Sequence, residues 1–227
     1  MNVITEEWIR FLNLKMNEVI PGINEEEWGE IEKKLNTALK FAHSIHIDLK
    51  DGIFVEGKTY MNPDPFKDFT QKALFELHMM VDNPLQYLNA WSDAGFERFI
   101  GHIEKMPDPV EFVAQAQLKG AVGLAIDADT DIDILNDINL NDLDTLLIMT
   151  IKAGPSGQAL QEKLLEKVRR IKNKAPYLPI EVDGGINIET ITMAKDAGAC
   201  RFISTSYIFN SDNPKDSFQR LHETIMR

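Results

Sequence analysis

Cysteine is nearly missing from this chain: Cys200 is the only one in 227 residues. No intrachain disulfide can form, which fits a reducing compartment. Positive charge is also scarce. With 24 Lys and Arg against 36 Asp and Glu, the formal net charge is −12, which argues against nucleic acid as a partner. An anionic ligand would have to be held by local groups, against the overall field. No apolar run approaches the ~20 residues that a membrane-spanning helix needs. The first fifteen residues carry Glu6, Glu7 and Arg10 among their apolar side chains and read neither as a signal peptide nor as a span. A soluble cytoplasmic protein is the expectation. The glycine fingerprint of a dinucleotide fold is lacking too, since the first strand candidate runs through Ile20-Pro21-Gly22-Ile23-Asn24 without G-x-G-x-x-G. Linkers and low-complexity tracts are absent.

Hydrophobic residues make up 44% of the chain, enough to bury one sizeable core. Short apolar runs alternate with amphipathic stretches, the pattern of a parallel sheet with crossover helices. The strands expected are 18–23, 44–49, 74–80, 98–102, 121–126, 145–151, 180–183 and 201–205. Helical patterns cover 25–42, 84–94, 109–118, 158–173, 188–197 and 214–226. Asp93-Ala94-Gly95 and Asp196-Ala197-Gly198 each read as a helix ending on a glycine cap. Eight strands in this order favour a closed (β/α)₈ TIM barrel over an open doubly wound sheet. Residues 1–227 are expected to form one domain, with the barrel at 17–227. A short extra N-terminal helix, around residues 4–14 of the segment 1–16, would plug the bottom of the barrel.

Chemistry in such a barrel sits at the C-terminal ends of the strands. His46 and Asp48 are two residues apart on one strand, so both leave the same face, which in a barrel is the inside. His78 lies near the end of the third strand and Asp183 closes the seventh. A lone strand histidine is ordinarily a hydrogen-bonded core residue. Two imidazoles and two carboxylates aimed into one cavity are a divalent-metal set, because burying the two carboxylates without a cation would cost several kcal/mol each. Glycines mark the loops after two later strands, Gly154-Pro155-Ser156-Gly157 and Gly184-Gly185 after Asp183, and the eighth strand ends in Ser204-Thr205-Ser206. Any one glycine pair is weak evidence, yet three such loops at these places suit a phosphate held by backbone N–H groups.

These residues carry a resemblance. His46-Ile47-Asp48-Leu49-Lys50-Asp51-Gly52, His78-Met79-Met80 with Asn83-Pro84, Met149-Thr150-Ile151 with Gly154, Gly157 and Gln158, Glu181-Val182-Asp183-Gly184-Gly185-Ile186 and Ser206-Tyr207-Ile208-Phe209 together resemble the ribulose-phosphate 3-epimerase family from about Val19 to Asn213. The resemblance implies that His46, Asp48, His78 and Asp183 hold one divalent metal ion (zinc, iron, manganese or cobalt suit the donors alike) and that the two aspartates double as acid and base. It implies D-ribulose 5-phosphate and D-xylulose 5-phosphate as substrates, in the pentose phosphate pathway of carbohydrate metabolism, and a homo-oligomer. Met80 and Met149 would cover the reacting carbons, or serve as ordinary barrel core. Gly154, Ser156, Gly157, Gly184, Gly185, Thr205 and Ser206 would line the phosphate end.

The chemistry matches the equipment. A proton α to a ketone needs its enediolate stabilised, which a metal does as a Lewis acid. Inverting the centre then needs one proton-transfer group on each face. The Asp51-Gly52 pair reads as a turn. Six positions depart from the family pattern: Gly22 stands where it has serine, Lys50 where it has methionine, Ala153, Pro155 and Ser156 where it has proline, phenylalanine and glycine, and Thr205 where it has glycine. Lys50 is expected to turn outward and solvate its ammonium. The departures bear on substrate identity, so allulose 6-phosphate or a related ketose phosphate stays open. Two other readings are a hexulose-phosphate synthase-like barrel and a non-catalytic sugar-phosphate binder. The first is prompted by Asp48-Leu49-Lys50, but Ile53 stands where its second aspartate belongs. The second would have no use for opposed carboxylates.

Overall fold

The alternation of apolar and amphipathic stretches resolves into a closed parallel barrel whose eight strands pair in chain order. The computed structural model describes residues 17–154 and 157–227; the helix expected within residues 1–16, with its role as a plug, lies outside them. The strands are β1 Glu18–Ile23, β2 Ser44–Lys50, β3 Leu74–Met80, β4 Arg98–His102, β5 Ala121–Ile126, β6 Thr145–Met149, β7 Ile180–Asp183 and β8 Arg201–Ser204. β1 pairs with β2 on one side and β8 on the other, so closure leaves no edge to template pairing with another chain. Seven α-helices are present among the described residues: α1 Trp28–Ala38, α2 Leu88–Asp93, α3 Pro109–Gln117, α4 Leu165–Lys174, α5 Thr190–Ala197, α6 Ser206–Phe209 and α7 Pro214–Met226.

Strand parity divides the side chains into two populations. Ile45, Ile47 and Leu49 of β2 and Phe75, Leu77 and Met79 of β3 face outward into the main core beneath the helices. There each buried side chain contributes about 1.5–3 kcal/mol. The helices meet them with stripes at helical spacing, as with Leu165, Val168 and Ile171 of α4. Residues of the other parity, His46, Asp48, Glu76 and His78, turn inward and are also buried. Their burial is polar, which is how a hydrophobic fold supplies a reactive interior.

The element limits differ from expectation where side chains or turns intervene. β2 runs one residue further, to Lys50, while β6 stops at Met149 and β8 at Ser204. The N–H of Thr150 makes the last bond to β7, to the carbonyl of Asp183 at 2.7 Å, while its hydroxyl turns to the Gly184 carbonyl beyond that strand at 2.6 Å. α1 is confined to Trp28–Ala38. The stretch at 84–94 divides into a 3₁₀ turn, Pro84–Tyr87, and α2, because Asn83 enters it at φ 51° and Pro84 supplies no N–H. Similarly, a 3₁₀ turn at Glu162–Leu164 precedes α4. α5 begins at Thr190 because the Asn187 side chain accepts the N–H groups of Glu189 and Thr190 at 2.9 and 3.1 Å. Between β5 and β6 the crossover is made of two 3₁₀ turns, Ile132–Leu135 and Leu140–Asp142. Gly95 and Gly198 follow α2 and α5 at positive φ, as the two Asp-Ala-Gly endings indicate.

Candidate active site

At the C-terminal mouth of the barrel, four side chains converge from three strands. His78 Nδ1 lies 2.9 Å from Asp48 Oδ1 and 3.6 Å from Asp183 Oδ2, and His46 Nε2 lies 3.2 Å from Asp48 Oδ1. One donor atom from each of His46, Asp48, His78 and Asp183 falls within 4.8 Å of the others. β2 and β3 are neighbours in register, Asp48 opposite His78. β7 reaches the group only because the sheet closes on itself.

The electrostatics of this group are unbalanced. Burial works against the ionised form of Asp48, but hydrogen bonds with His46 and His78 outweigh it and hold its carboxyl below the usual range. Asp183 has no such support. Burial and then the charge of Asp48 push it up to about 8. Burial pulls His78 down to about 4, so this imidazole is neutral and keeps a lone pair to offer. Two nitrogen and two oxygen donors, all buried and convergent, fit a divalent cation, which would also relieve the repulsion that keeps a proton on Asp183.

A small cavity opens beside this cluster, lined by Asp48 and Asp183 and also by Met80, Met149 and Ile151. The methionines belong to a second apolar cluster inside the barrel, with Ile100, Ala125, Leu147 and Ala153, against which Phe54 and Val55 pack. Gly154, Gly157, Gly184, Gly185, Thr205 and Ser206 complete the rim; Ser156 and Pro155 lie outside the described residues. Gly184 and Gly185 adopt φ 120° and 70°. A Cβ on the first would collide with Ile151, and on the second with the Leu160 backbone. Only glycine fits this turn, which the Thr150 and Thr190 hydroxyls pin by donating to the carbonyls of Gly184 and Gly185 at 2.6 and 2.7 Å.

Two departures seen in the sequence prove to be one. Gly22 on β1 faces β8, and a Cβ there would run into Thr205 Oγ1 and come within 2.9 Å of Ile203 Cγ2. The missing side chain on β1 makes room for the threonine just after β8. Gly22→Ser is therefore expected to destabilise the protein by about 1–3 kcal/mol through overpacking, and adding Thr205→Gly should recover most of the loss. Thermal denaturation of both single variants and the double variant measures this coupling; additive effects would contradict it.

Lys50 does not turn outward. It is 6% exposed, the loop at 51–59 pairs back onto its backbone through Thr59, and its Nζ lies 3.8 Å from where a Cβ on Gly57 would stand. An inward strand position under a folded-back loop outweighs the stem's freedom to snorkel. Asp51 and Gly52 do form the expected turn, with Asp51 Oδ1 accepting the N–H groups of Ile53 and Phe54 at 2.8 and 3.3 Å and Gly52 at φ 77°.

Reasoning from sequence did not find the ionic layer beneath the site. His46 Nδ1 lies 2.8 Å from Glu76 Oε1. Glu76 Oε2 accepts from Arg98 and Arg201 at 2.8 and 2.5 Å, while Arg201 also donates to Glu181 at 2.7 Å and Glu18 at 2.6 Å. Glu181 Oε1 is buried without a hydrogen-bond partner, and burial, then the charge of Glu76, push its carboxyl up to about 7. Nor did it find His102 and Glu104, which reach the site from the end of β4. The available signal was parity: Glu76 precedes His78 by two residues and Glu181 precedes Asp183 by two, whereas Glu104 lies in a 3₁₀ turn after β4, where parity gives no signal.

Comparison with known proteins agrees with this geometry. The family model described as the ribulose-phosphate 3 epimerase family matches residues 18–209. A ribulose-phosphate 3-epimerase of Schizosaccharomyces pombe is 29% identical over 216 residues, covering 92% of this chain and 94% of that protein. The cytoplasmic isoform of the enzyme from Oryza sativa is 32% identical, covering 80% of this chain and 82% of that one. Among solved structures, 3-hexulose-6-phosphate synthase from Salmonella typhimurium superimposes with a TM-score of 0.71 at 13% identity, over 92% of this chain and 98% of that one. Orotidine 5′-phosphate decarboxylase from Pyrococcus horikoshii does so at 0.70 and 11%, over 92% and 100%. At such identities these two likenesses speak for the TIM-barrel fold alone. The match over residues 18–209, together with relatives aligned along most of their length, shows that the chain is an isomerase belonging to the ribulose-phosphate 3-epimerase family.

Proposed function

We propose that the chain interconverts D-ribulose 5-phosphate and D-xylulose 5-phosphate by moving the C3 proton between two opposed aspartates. The observation that carries this reading is the convergence of Asp48 and Asp183, from non-adjacent strands, on one cavity that Met80, Met149 and Ile151 also line. The two carboxylates differ in proton affinity, Asp183 being raised to about 8 and Asp48 depressed, which is the division of labour expected of an acid and a base. His46, Asp48, His78 and Asp183 would hold a divalent ion, which when bound would supply Lewis-acid stabilisation of the enediolate. Met80 and Met149 keep water from the reacting carbon. Gly184, Gly185, Thr205 and Ser206 present backbone N–H groups and hydroxyls to the phosphate.

The names of the relatives support the pentulose phosphate as substrate, and that of the rice enzyme supports a cytoplasmic setting. A homo-oligomer completes the reading. No helix among the described residues is long and apolar enough to cross a membrane. The recast wall at Gly22 and Thr205 favours one second reading, in which the substrate is allulose 6-phosphate or a related ketose phosphate. Turnover of a panel of pentulose and hexulose phosphates in D₂O, with deuterium read at C3, tests both. Incorporation with none of them would overturn the epimerase reading in favour of a binding protein.

Phosphate is expected to be required. D-Ribulose should show a kcat/KM at least ~100-fold below that of its 5-phosphate, because ~3 kcal/mol is a modest share for remote contacts to a dianion. Comparable values for the two would point to a free-sugar epimerase.

A further inference from the structure

Behind His78 stands a second imidazole to which the chemistry above gives no task. His102 ends β4 and is completely buried. Its Nε2 lies 2.9 Å from His78 Nε2, on the far side of that ring from Asp48 and Asp183. Its Nδ1 lies 3.1 Å from Glu104 Oε2. The other oxygen of Glu104 accepts the N–H of Asp127 at 2.8 Å, which anchors the carboxylate. Phe54, from the loop after β2, packs on the His102 ring with centroids 4.8 Å apart.

Two ring nitrogens at hydrogen-bond distance share one hydrogen, so one donates and the other accepts. The far end of the chain sets the direction. Glu104 as a carboxylate can only accept, so Nδ1 of His102 carries a hydrogen. With a cation in the site, the lone pair of His102 Nε2 turns toward His78, and His78 donates to it from its own Nε2. That leaves His78 Nδ1 with a lone pair directed at the oxygens of Asp48 and Asp183, 2.9 and 3.6 Å away. Without a cation Nδ1 is the atom that hydrogen-bonds to Asp48; a cation standing there would take up its lone pair.

We infer that His102, oriented by Glu104, is a positioning residue that fixes His78 as the Nε2–H tautomer and so presents Nδ1 to a divalent cation. The inference rests on the metal-centre reading of His46, Asp48, His78 and Asp183. It adds to those four a partner shell that tunes them, since groups bonded to the free nitrogen of a ligating histidine set its orientation and basicity. His46 has a counterpart in Glu76, which takes its Nδ1 at 2.8 Å. His78 reaches its carboxylate one imidazole further out.

The test is Zn²⁺ affinity by chelator competition on the whole protein, which does not depend on turnover. His102→Leu is expected to weaken Zn²⁺ binding about 10–100-fold. His102→Gln should recover most of that loss, because its carbonyl reaches the place of Nε2 and can accept from His78. Glu104→Leu, which leaves both imidazoles in place, should weaken binding about threefold to tenfold; it keeps the test available if the His102 leucine variant does not fold. Melting of the metal-free variants identifies those that fold. Affinities of His102→Leu and Glu104→Leu within threefold of the parent would overturn the role of His102. Glutamine as weak as leucine would do the same, reducing His102 to packing. No measurable Zn²⁺ binding by the parent protein would overturn the metal centre itself, a result distinct from the other two.

Discussion

Asp183→Asn and Asp48→Asn are each expected to lower kcat/KM for epimerisation by at least ~10³-fold, or about 4 kcal/mol of transition-state stabilisation. Asparagine matches aspartate in shape but can neither take nor return a proton, and inversion at C3 needs both events on opposite faces. The two substitutions need not fail alike. Proton removal from one epimer uses one face only. A variant that keeps the base for that face should therefore still exchange the C3 proton of a single epimer with solvent while forming no product. Both residues also belong to the candidate ligand set, so metal content must be measured beside the rates. A variant with normal metal content, no epimerisation and single-epimer exchange isolates the proton-transfer role. Near-parental epimerisation by either one would contradict the two-base assignment.

Removing metal should have an effect as large on activity and a measurable one on stability. Exhaustive chelation is expected to abolish turnover, and Zn²⁺, Mn²⁺, Fe²⁺ or Co²⁺ should restore part of it. At a free-metal concentration of about 100 times Kd, binding to the native state alone adds ~2.7 kcal/mol. For a domain of this size that raises Tm by about 5–10 °C. The gain should depend on pH, and the sign follows from Asp183. Its folded, metal-free value of about 8 lies above its ordinary 3.8, so the folded protein holds a proton that the unfolded chain gives up. That stabilisation is full below about pH 4 and is lost as pH rises through about 8. Glu181, raised to about 7 from 4.5, acts in the same direction. Asp48 and Glu76, both depressed, act the other way, and their contribution disappears as pH falls below about 4. A ligating Asp183 must be ionised, so the metal-loaded protein escapes its share of the alkaline loss. The metal-induced rise in Tm should therefore grow between about pH 5 and pH 8. Full turnover after verified metal removal would sink the metal reading, and a Tm gain that shrinks with pH would contradict the protonated Asp183.

Much of the fold is local in origin, and it was legible for that reason. Side-chain parity has a period of two in a strand, so His46 and Asp48 had to leave one face and the apolar Ile45, Ile47 and Leu49 the other, whatever the rest of the chain did. The same holds for the Asp-Ala-Gly helix endings and the Asp51-Gly52 turn, which are decided within a few residues by backbone stereochemistry. Limits between elements were less legible because they depend on partners elsewhere: β6 ends where the Thr150 hydroxyl finds the carbonyl of Gly184, 34 residues away. The buried position of Lys50 likewise depends on a loop that folds back onto its strand.

The sequence by itself determined the alternation of elements, the inward parity of the four candidate ligands and the glycines that let the chain turn at the phosphate end. Only the tertiary structure decided that β7 meets β2 and β3 at one point, because closure is a property of the whole sheet and of no single strand. It also decided that Gly22 and Thr205 share one volume, since their steric contact crosses from β1 to the residue just after β8. Finally, it placed Glu104, His102 and His78 in line. The direction of a hydrogen-bond chain depends on distances between residues of different strands, and no periodicity along one strand encodes those.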